Sequence, residues 1–248
     1  AYCIPPQCET AQHCSATQRM PRILTRHVVT LTTLAAFRAT TALHRATRVQ
    51  RMSMSSMDGV VPWRERITGS IARSRKIRGG NYVQLATVDA NNAPRCRTVV
   101  FRGFAPDGRL KIITDNRSAK VKESRRVEVC WWFSQSSEQY RFTGDITYIG
   151  QDGSDDDVAL RKQQWGNLSD KAREQFFWAH PPAETFDDAP EAVPAGGRDA
   201  DGKVLPAPDV FLLGLVAPDA VDYLRLTDNF RQLDRLADGA WDCARVNP

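Results

Sequence analysis

Along most of the chain, apolar residues fall into short alternating runs bounded by Gly, Pro, Asp and Ser, the period-2 signature of half-buried strands. The first ordered pattern is different. Trp63, Ile67 and Ile71, separated by Arg and Lys, recur at helical spacing and predict an amphipathic helix over 62–78, opened by Pro62 and closed by Gly79 and Gly80. Alternation over 82–89 runs into a polar turn at 90–93, predicting a hairpin with a strand over 95–104. The turn Pro106-Asp107-Gly108 leads into a strand over 110–114, a short helix over 118–125, a strand over 127–133 and a long strand over 139–149. Helices are expected over 156–165 and 169–178, the second N-capped by Ser169. Residues 181–208, rich in Pro, Ala, Gly and Asp, read as an exposed loop, and four strands over 210–216, 221–226, 230–236 and 240–246 close the chain. The fold class is mainly β, a β-barrel with flanking helices.

Charge divides the chain where the patterning begins. Residues 1–57 hold seven Arg, no Lys and the single acid Glu9, a net of +6 against +5 for the whole chain, so the remainder carries −1. The basic balance therefore belongs to the extension and argues against a nucleic-acid surface on the domain at 58–248. Rich in Arg, Ser and Thr, the extension has the composition of an organellar transit peptide, for a chloroplast rather than a mitochondrion, or of a disordered leader. The alternative is translation from Met52, Met54 or Met57 and a cytoplasmic protein. No run approaches the ~18 apolar residues of a membrane span.

Of six cysteines, Cys3, Cys8 and Cys14 lie in the extension, Cys96, Cys130 and Cys243 are far apart, and no CxxC pair occurs. A reducing compartment and no metal site are expected. The acidic stretch 152–157 lacks the ligand spacing of a calcium loop and suits a helix N-terminus. No Ser-His-Asp, HExxH, GxGxxG or P-loop pattern appears, which disfavours hydrolase, zincin, Rossmann and NTPase chemistry.

The candidate chemistry lies between Arg97 and Gln139. Thr114, Ser118 and Lys120 place two hydroxyls and an ammonium at the start of the short helix, a set suited to a phosphate monoester. Arg97 shares a strand face with Val99 and Phe101 and needs a partner if buried.

Three motifs in order, RTVVFRGF from Arg97, IITDNRSAK ending at Lys120 and EQYRFTG from Glu138, resemble the pyridoxamine 5'-phosphate oxidase-like FMN-binding split-barrel family. The resemblance runs from about Val61 to Pro248, and WGNLSDKAREQFFW at 165–178 with the close at Trp241 and 246–248 is similar to a plant-type subgroup. It implies an FMN-binding split barrel that binds FMN non-covalently as a homodimer, both subunits building each flavin site. By resemblance Thr114, Ser118, Lys120 and Arg97 hold the FMN phosphate, Arg97 also reaching the ribityl region. The backbone of Thr98, Val99 and Val100 faces the isoalloxazine, Gln139 hydrogen-bonds the ring, and Arg235 contacts FMN. Arg102, Arg161 and Arg231 are the implied substrate-binding residues. The chain departs from the family at Ala119, where the family has Arg and Arg117 is the available substitute, at Leu233 in place of a substrate-gripping His, and at Leu224 near a flavin-contacting Trp. The implied reaction is oxidation of pyridoxamine or pyridoxine 5'-phosphate to pyridoxal 5'-phosphate. The alternatives are another FMN-dependent oxidoreductase or flavin reductase on the same barrel, and a non-catalytic flavin-binding module. The motifs name no catalytic acid or base.

Overall fold

The computed structural model describes residues 61–179, 182, 183, 185 and 192–248. The predicted extension at 1–57 and part of the predicted loop at 181–208 lie outside the described residues. Helix α1, Trp63–Ser74, precedes strands β1 (Tyr82–Val88), β2 (Pro94–Val100), β3 (Leu110–Asp115), β4 (Arg126–Phe133) and β5 (Glu138–Ile149). Helices α2 (Asp155–Gly166) and α3 (Asp170–Glu174) follow, then β6 (Phe211–Arg225), β7 (Phe230–Ala237) and β8 (Ala240–Val246). Among the described residues no helix is long and apolar enough to cross a membrane.

All eight strands form one antiparallel sheet in the order β2-β1-β4-β5-β6-β7-β8, with β3 pairing the first half of β6. The ring then closes through the chain that links β2 to β3. The Arg102 amide donates to the Lys111 carbonyl at 2.8 Å, the Lys111 amide to the Gly103 carbonyl at 2.9 Å, and the Ala105 amide to the Arg109 carbonyl at 2.8 Å. Strands β1 to β6 thus make a barrel, and the β7-β8 hairpin extends the sheet from the second half of β6.

Two predicted strands, 210–216 and 221–226, are one 15-residue strand. The Ala-Pro-Asp-Ala sequence at 217–220 reads as a turn, but it is a bulge: Thr143 faces Ala220 while Gly144 faces Pro218, leaving Asp219 unmatched. Pro218, which has no N–H to give a ladder, is tolerated there. Gly144 makes the bulge possible, because a Cβ on it would lie 2.1 Å from the Ala217 carbonyl oxygen.

The inner face of the sheet carries Val83, Leu85, Val129, Trp131, Phe133, Tyr140, Phe142, Val221 and Tyr223, all 1% exposed or less. Helix α1 closes one end with Trp63, whose ring meets Phe142 and Trp241 edge-on at centroid distances of 5.4 and 5.6 Å. Helix α2 opens with Asp155–Asp157, capped by the Ser154 hydroxyl, and packs Trp165 on Phe211 with Leu168. Ser169 precedes α3 without a side-chain cap bond, and the expected helix over 169–178 ends early in a 3-10 turn, Gln175–Phe177.

Candidate functional site

The predicted helix over 118–125 is a single 3-10 turn, Ala119–Val121. It is too short for a macrodipole, so side chains rather than a helix terminus have to hold an anion there. The turn forms because Asp115 accepts the Arg117 amide at 2.7 Å, folding the chain back at the end of β3. Lys120 then swings its ammonium to 3.0 Å from the Thr114 hydroxyl and 2.5 Å from that of Ser118. Burial, and then the positive charge of Arg97, push Lys120 below the usual lysine range. Among the described residues no carboxylate lies within ion-pair distance of Lys120.

Arg97 reaches the same place from β2. It lies opposite Leu85 in the ladder, hence on the inner face, and Val99, opposite Val83, lies there too. Its guanidinium donates to Glu123 at 2.6 Å, to the Thr87 hydroxyl, and to the Leu85 carbonyl at 3.3 Å. The Tyr148 hydroxyl donates to the Lys120 carbonyl at 3.3 Å, and burial raises its pKa to about 12, so it stays a neutral donor. Two cations, four hydroxyls and one internal acid therefore converge at this end of the barrel. Arg117 is not a spare cation in place of the family's Arg: Asp115 holds it at 2.7 Å and it donates to the Trp178 and Ala179 carbonyls.

The other predicted residues are elsewhere. Thr98 and Val100 face outward from β2, opposite Gln84 and Tyr82. On the same outer face one row runs Trp132, Gln139, Leu224, Arg231 across β4 to β7, and Arg235 sits between Ala220 and Asp242 in a parallel row. Arg231 is paired with Asp222 at 2.8 Å, next to Leu233 in the register. Arg102, on the link from β2 to β3, has a buried Nε with no partner, and burial pushes its pKa down. Arg161, predicted for substrate, is 6% exposed and donates to the carbonyls of Phe211 at 3.0 Å and Pro208 at 2.9 Å, its guanidinium resting on the Phe211 ring. Its location on α2 ties that helix to the start of β6. The sequence reading passed over Glu123, Thr87 and Tyr148. The only local signal for them was an acid three residues past Lys120 in a basic stretch; the other two are brought in by strand register.

A family model described as "Pyridoxamine 5'-phosphate oxidase, FMN-binding domain" matches residues 60–150, the span from α1 through β5 that carries the Lys120–Arg97 cluster. "Pyridoxine/pyridoxamine 5'-phosphate oxidase 2" of Arabidopsis thaliana is 33% identical over 198 residues, covering 76% of this chain and 98% of the relative. The chain belongs to this family. A solved pyridoxamine 5'-phosphate oxidase-related, FMN-binding protein from Nostoc punctiforme is 35% identical with a TM-score of 0.66, covering 77% of this chain and 100% of that one. PhzG from Burkholderia lata, at 16% identity and a TM-score of 0.59, covers 74% of this chain and 90% of its own and shares the fold. Membership makes the protein an FMN-dependent oxidoreductase of the split-barrel class, and the donor set of the cluster fits the cofactor's phosphate: compact ammonium, guanidinium and hydroxyls, half-buried, with one carboxylate among them.

Proposed function

We propose that this protein oxidises pyridoxamine or pyridoxine 5'-phosphate to pyridoxal 5'-phosphate. The observation that carries this reading is a second cation apart from the cluster around Lys120. Arg102 is half-buried, its Nε unpartnered, and among the described residues it has no carboxylate, so it suits the phosphate of a substrate distinct from the cofactor. Two phosphates to hold, one on FMN and one on substrate, match the two sites.

In this reading Lys120 and Arg97 anchor the FMN phosphate while Thr114 and Ser118 fix the ammonium between them. Gln139 offers an amide, both donor and acceptor, to the edge of the flavin ring. Arg102 holds the substrate so that its C4' carbon is presented to the ring, and positioning is the protein's main contribution. FMN supplies the two-electron chemistry, with oxygen as the final acceptor. Lys120 and Arg97 lie inside the barrel end whereas Gln139, Arg231 and Arg235 face outward, an arrangement in keeping with a site completed by the outer face of a second copy. Targeting to an organelle belongs to the same proposal, on the composition of residues 1–57.

One observation favours a different FMN-dependent oxidoreductase or flavin reductase. Arg231 is neutralised by Asp222, with Leu224 and Leu233 beside it, which leaves that part of the outer face poor in free donors. Anaerobic mixing of the FMN-loaded protein with pyridoxamine 5'-phosphate tests the choice. Bleaching of the flavin absorbance and appearance of pyridoxal 5'-phosphate are expected; bleaching by a reduced nicotinamide alone would favour the second reading.

A further inference from the structure

Among the cations that the proposed reading assigns to the FMN phosphate stands a group that repels phosphate. The Glu123 side chain is 8% exposed. One oxygen, Oε2, takes Arg97 at 2.6 Å and also accepts from the Thr87 hydroxyl, while Arg97 donates to that same hydroxyl. The three groups close a triangle across β1, β2 and the segment after the 3-10 turn. Thr87 is 3% exposed, so its hydroxyl is committed to this arrangement. Asp115, the next acid along, is engaged by Arg117. Without Glu123, the guanidinium of Arg97 and the ammonium of Lys120 would face each other half-buried with no anion at ion-pair distance.

We propose that Glu123 is a positioning residue of the cofactor site, a resident anion that aims Arg97, stabilises the cluster before FMN arrives and weakens its hold on the phosphate once FMN is bound. This rests on the reading that Lys120 and Arg97 grip the FMN phosphate. With the carboxylate present, two cations and one anion meet the phosphate; with an amide in its place, two cations meet it alone. A structural link and a resident anion therefore predict opposite consequences for removing the charge while keeping the shape. A link, once loosened, weakens FMN binding or leaves it unchanged, whereas a resident anion, once neutralised, strengthens it.

Glu123→Gln preserves size and an oxygen for Arg97 and Thr87. The full chain, stripped of flavin, is titrated with FMN and with riboflavin by flavin fluorescence, and thermal unfolding is followed with and without FMN. The FMN-to-riboflavin affinity ratio is expected to rise on the order of tenfold, as expected for removing a like charge a few ångströms from the phosphate in a partly shielded site. The flavin-free protein is expected to melt lower than the parent, and the FMN-saturated protein not to. Glu123→Asp, which keeps the charge, is expected to hold the ratio near that of the parent. An unchanged or reduced ratio in E123Q overturns the proposal. Lys120→Met separates the two layers: if it too leaves the ratio unchanged, the reading of the phosphate site fails, whereas a fall in K120M beside no rise in E123Q removes the role of Glu123 alone. Should E123Q not accumulate folded, the double variant E123Q/K120M, which restores the parent's net charge in the cluster, is expected to fold, and its failure to do so overturns the charge argument.

Discussion

Replacing Glu138 by alanine removes one of the points where α1 is fastened to the barrel. Glu138, the first residue of β5, is 2% exposed. Its Oε2 accepts from Ser70 at 2.7 Å, from Arg73 at 2.7 Å and from the Ser136 hydroxyl, and its Oε1 accepts from Tyr223 at 2.8 Å. Arg73 is 51% exposed, so its ion pair adds little. The cost comes from the Tyr223 hydroxyl, fully buried and worth about 1–3 kcal/mol when stranded, because the Ser70 hydroxyl keeps that of Tyr140 at 3.0 Å. Together with the lost carboxylate contacts this gives about 2–4 kcal/mol. For a domain of this size that is a fall in Tm of roughly 4–16 °C. Glu138→Gln is expected to cost about 1–3 kcal/mol, because the Tyr223 hydroxyl can turn to accept. The acid limb of stability carries the same signature. Burial pushes the Glu138 carboxyl up, but hydrogen bonds from Ser136, Ser70, Tyr223 and Arg73 outweigh it and bring the pKa below its usual value. A lowered folded pKa means stabilisation that is complete above the unfolded value of about 4.3 and is lost as pH falls through the folded one. Differential scanning calorimetry of the parent and E138A from pH 3 to 8 reads both effects. A melting point for E138A within a degree or two of the parent at neutral pH, or an acid limb unchanged by the substitution, refutes the reasoning.

Three further outcomes follow from the same geometry. If Lys120 holds the FMN phosphate as proposed, FMN binds its charged form, whose pKa burial and Arg97 hold below the lysine norm, so FMN affinity should fall as pH rises through that lowered value, before the usual ~10.4, with riboflavin unaffected. Loss of the charged contact should cost about tenfold to a hundredfold, and parallel titrations from pH 7 to 10 would show a flat FMN curve if the idea is wrong. Arg161→Met should lower stability by about 1–3 kcal/mol by removing the guanidinium from the Phe211 carbonyl and from that of Pro208, which keeps only the Phe211 amide, while leaving the KM for the proposed substrate, pyridoxamine 5'-phosphate, unchanged; a raised KM at full stability would return Arg161 to the substrate site. Gly144→Ala should destabilise by about 1–3 kcal/mol or more, read from urea unfolding, since its Cβ would strike the Ala217 carbonyl, and a neutral result would mean that the β5–β6 bulge yields freely.

Alternation and turn residues made β1 to β5, β7 and β8 readable to within a few residues, because each strand buries one face and exposes the other along its own length. The same local cues misread 217–220 and 118–125. Pro218 looks like a turn until Gly144 of another strand lets the backbone approach, and a run of good donors looks like a helix until Asp115 folds it into a 3-10 turn. At the site, Arg97, Thr114, Ser118 and Lys120 were legible because the motif keeps them close in sequence or on one strand face. Glu123, Thr87 and Tyr148 were not, since register and barrel closure, which depend on pairings between distant strands, bring them in.

By itself, the chain's order of residues determined the strand-rich class, the separation of a basic extension from a near-neutral domain, and a set of donor types suited to a phosphate. Only the folded barrel decided that β6 serves two neighbours at once, that Arg161 props α2 against β6, and that Glu123 stands beside the clustered Arg97 and Lys120. Periodicity and composition act over a few residues, whereas the partner of a buried charge is chosen by whichever groups the closed sheet brings within about 3 Å of it.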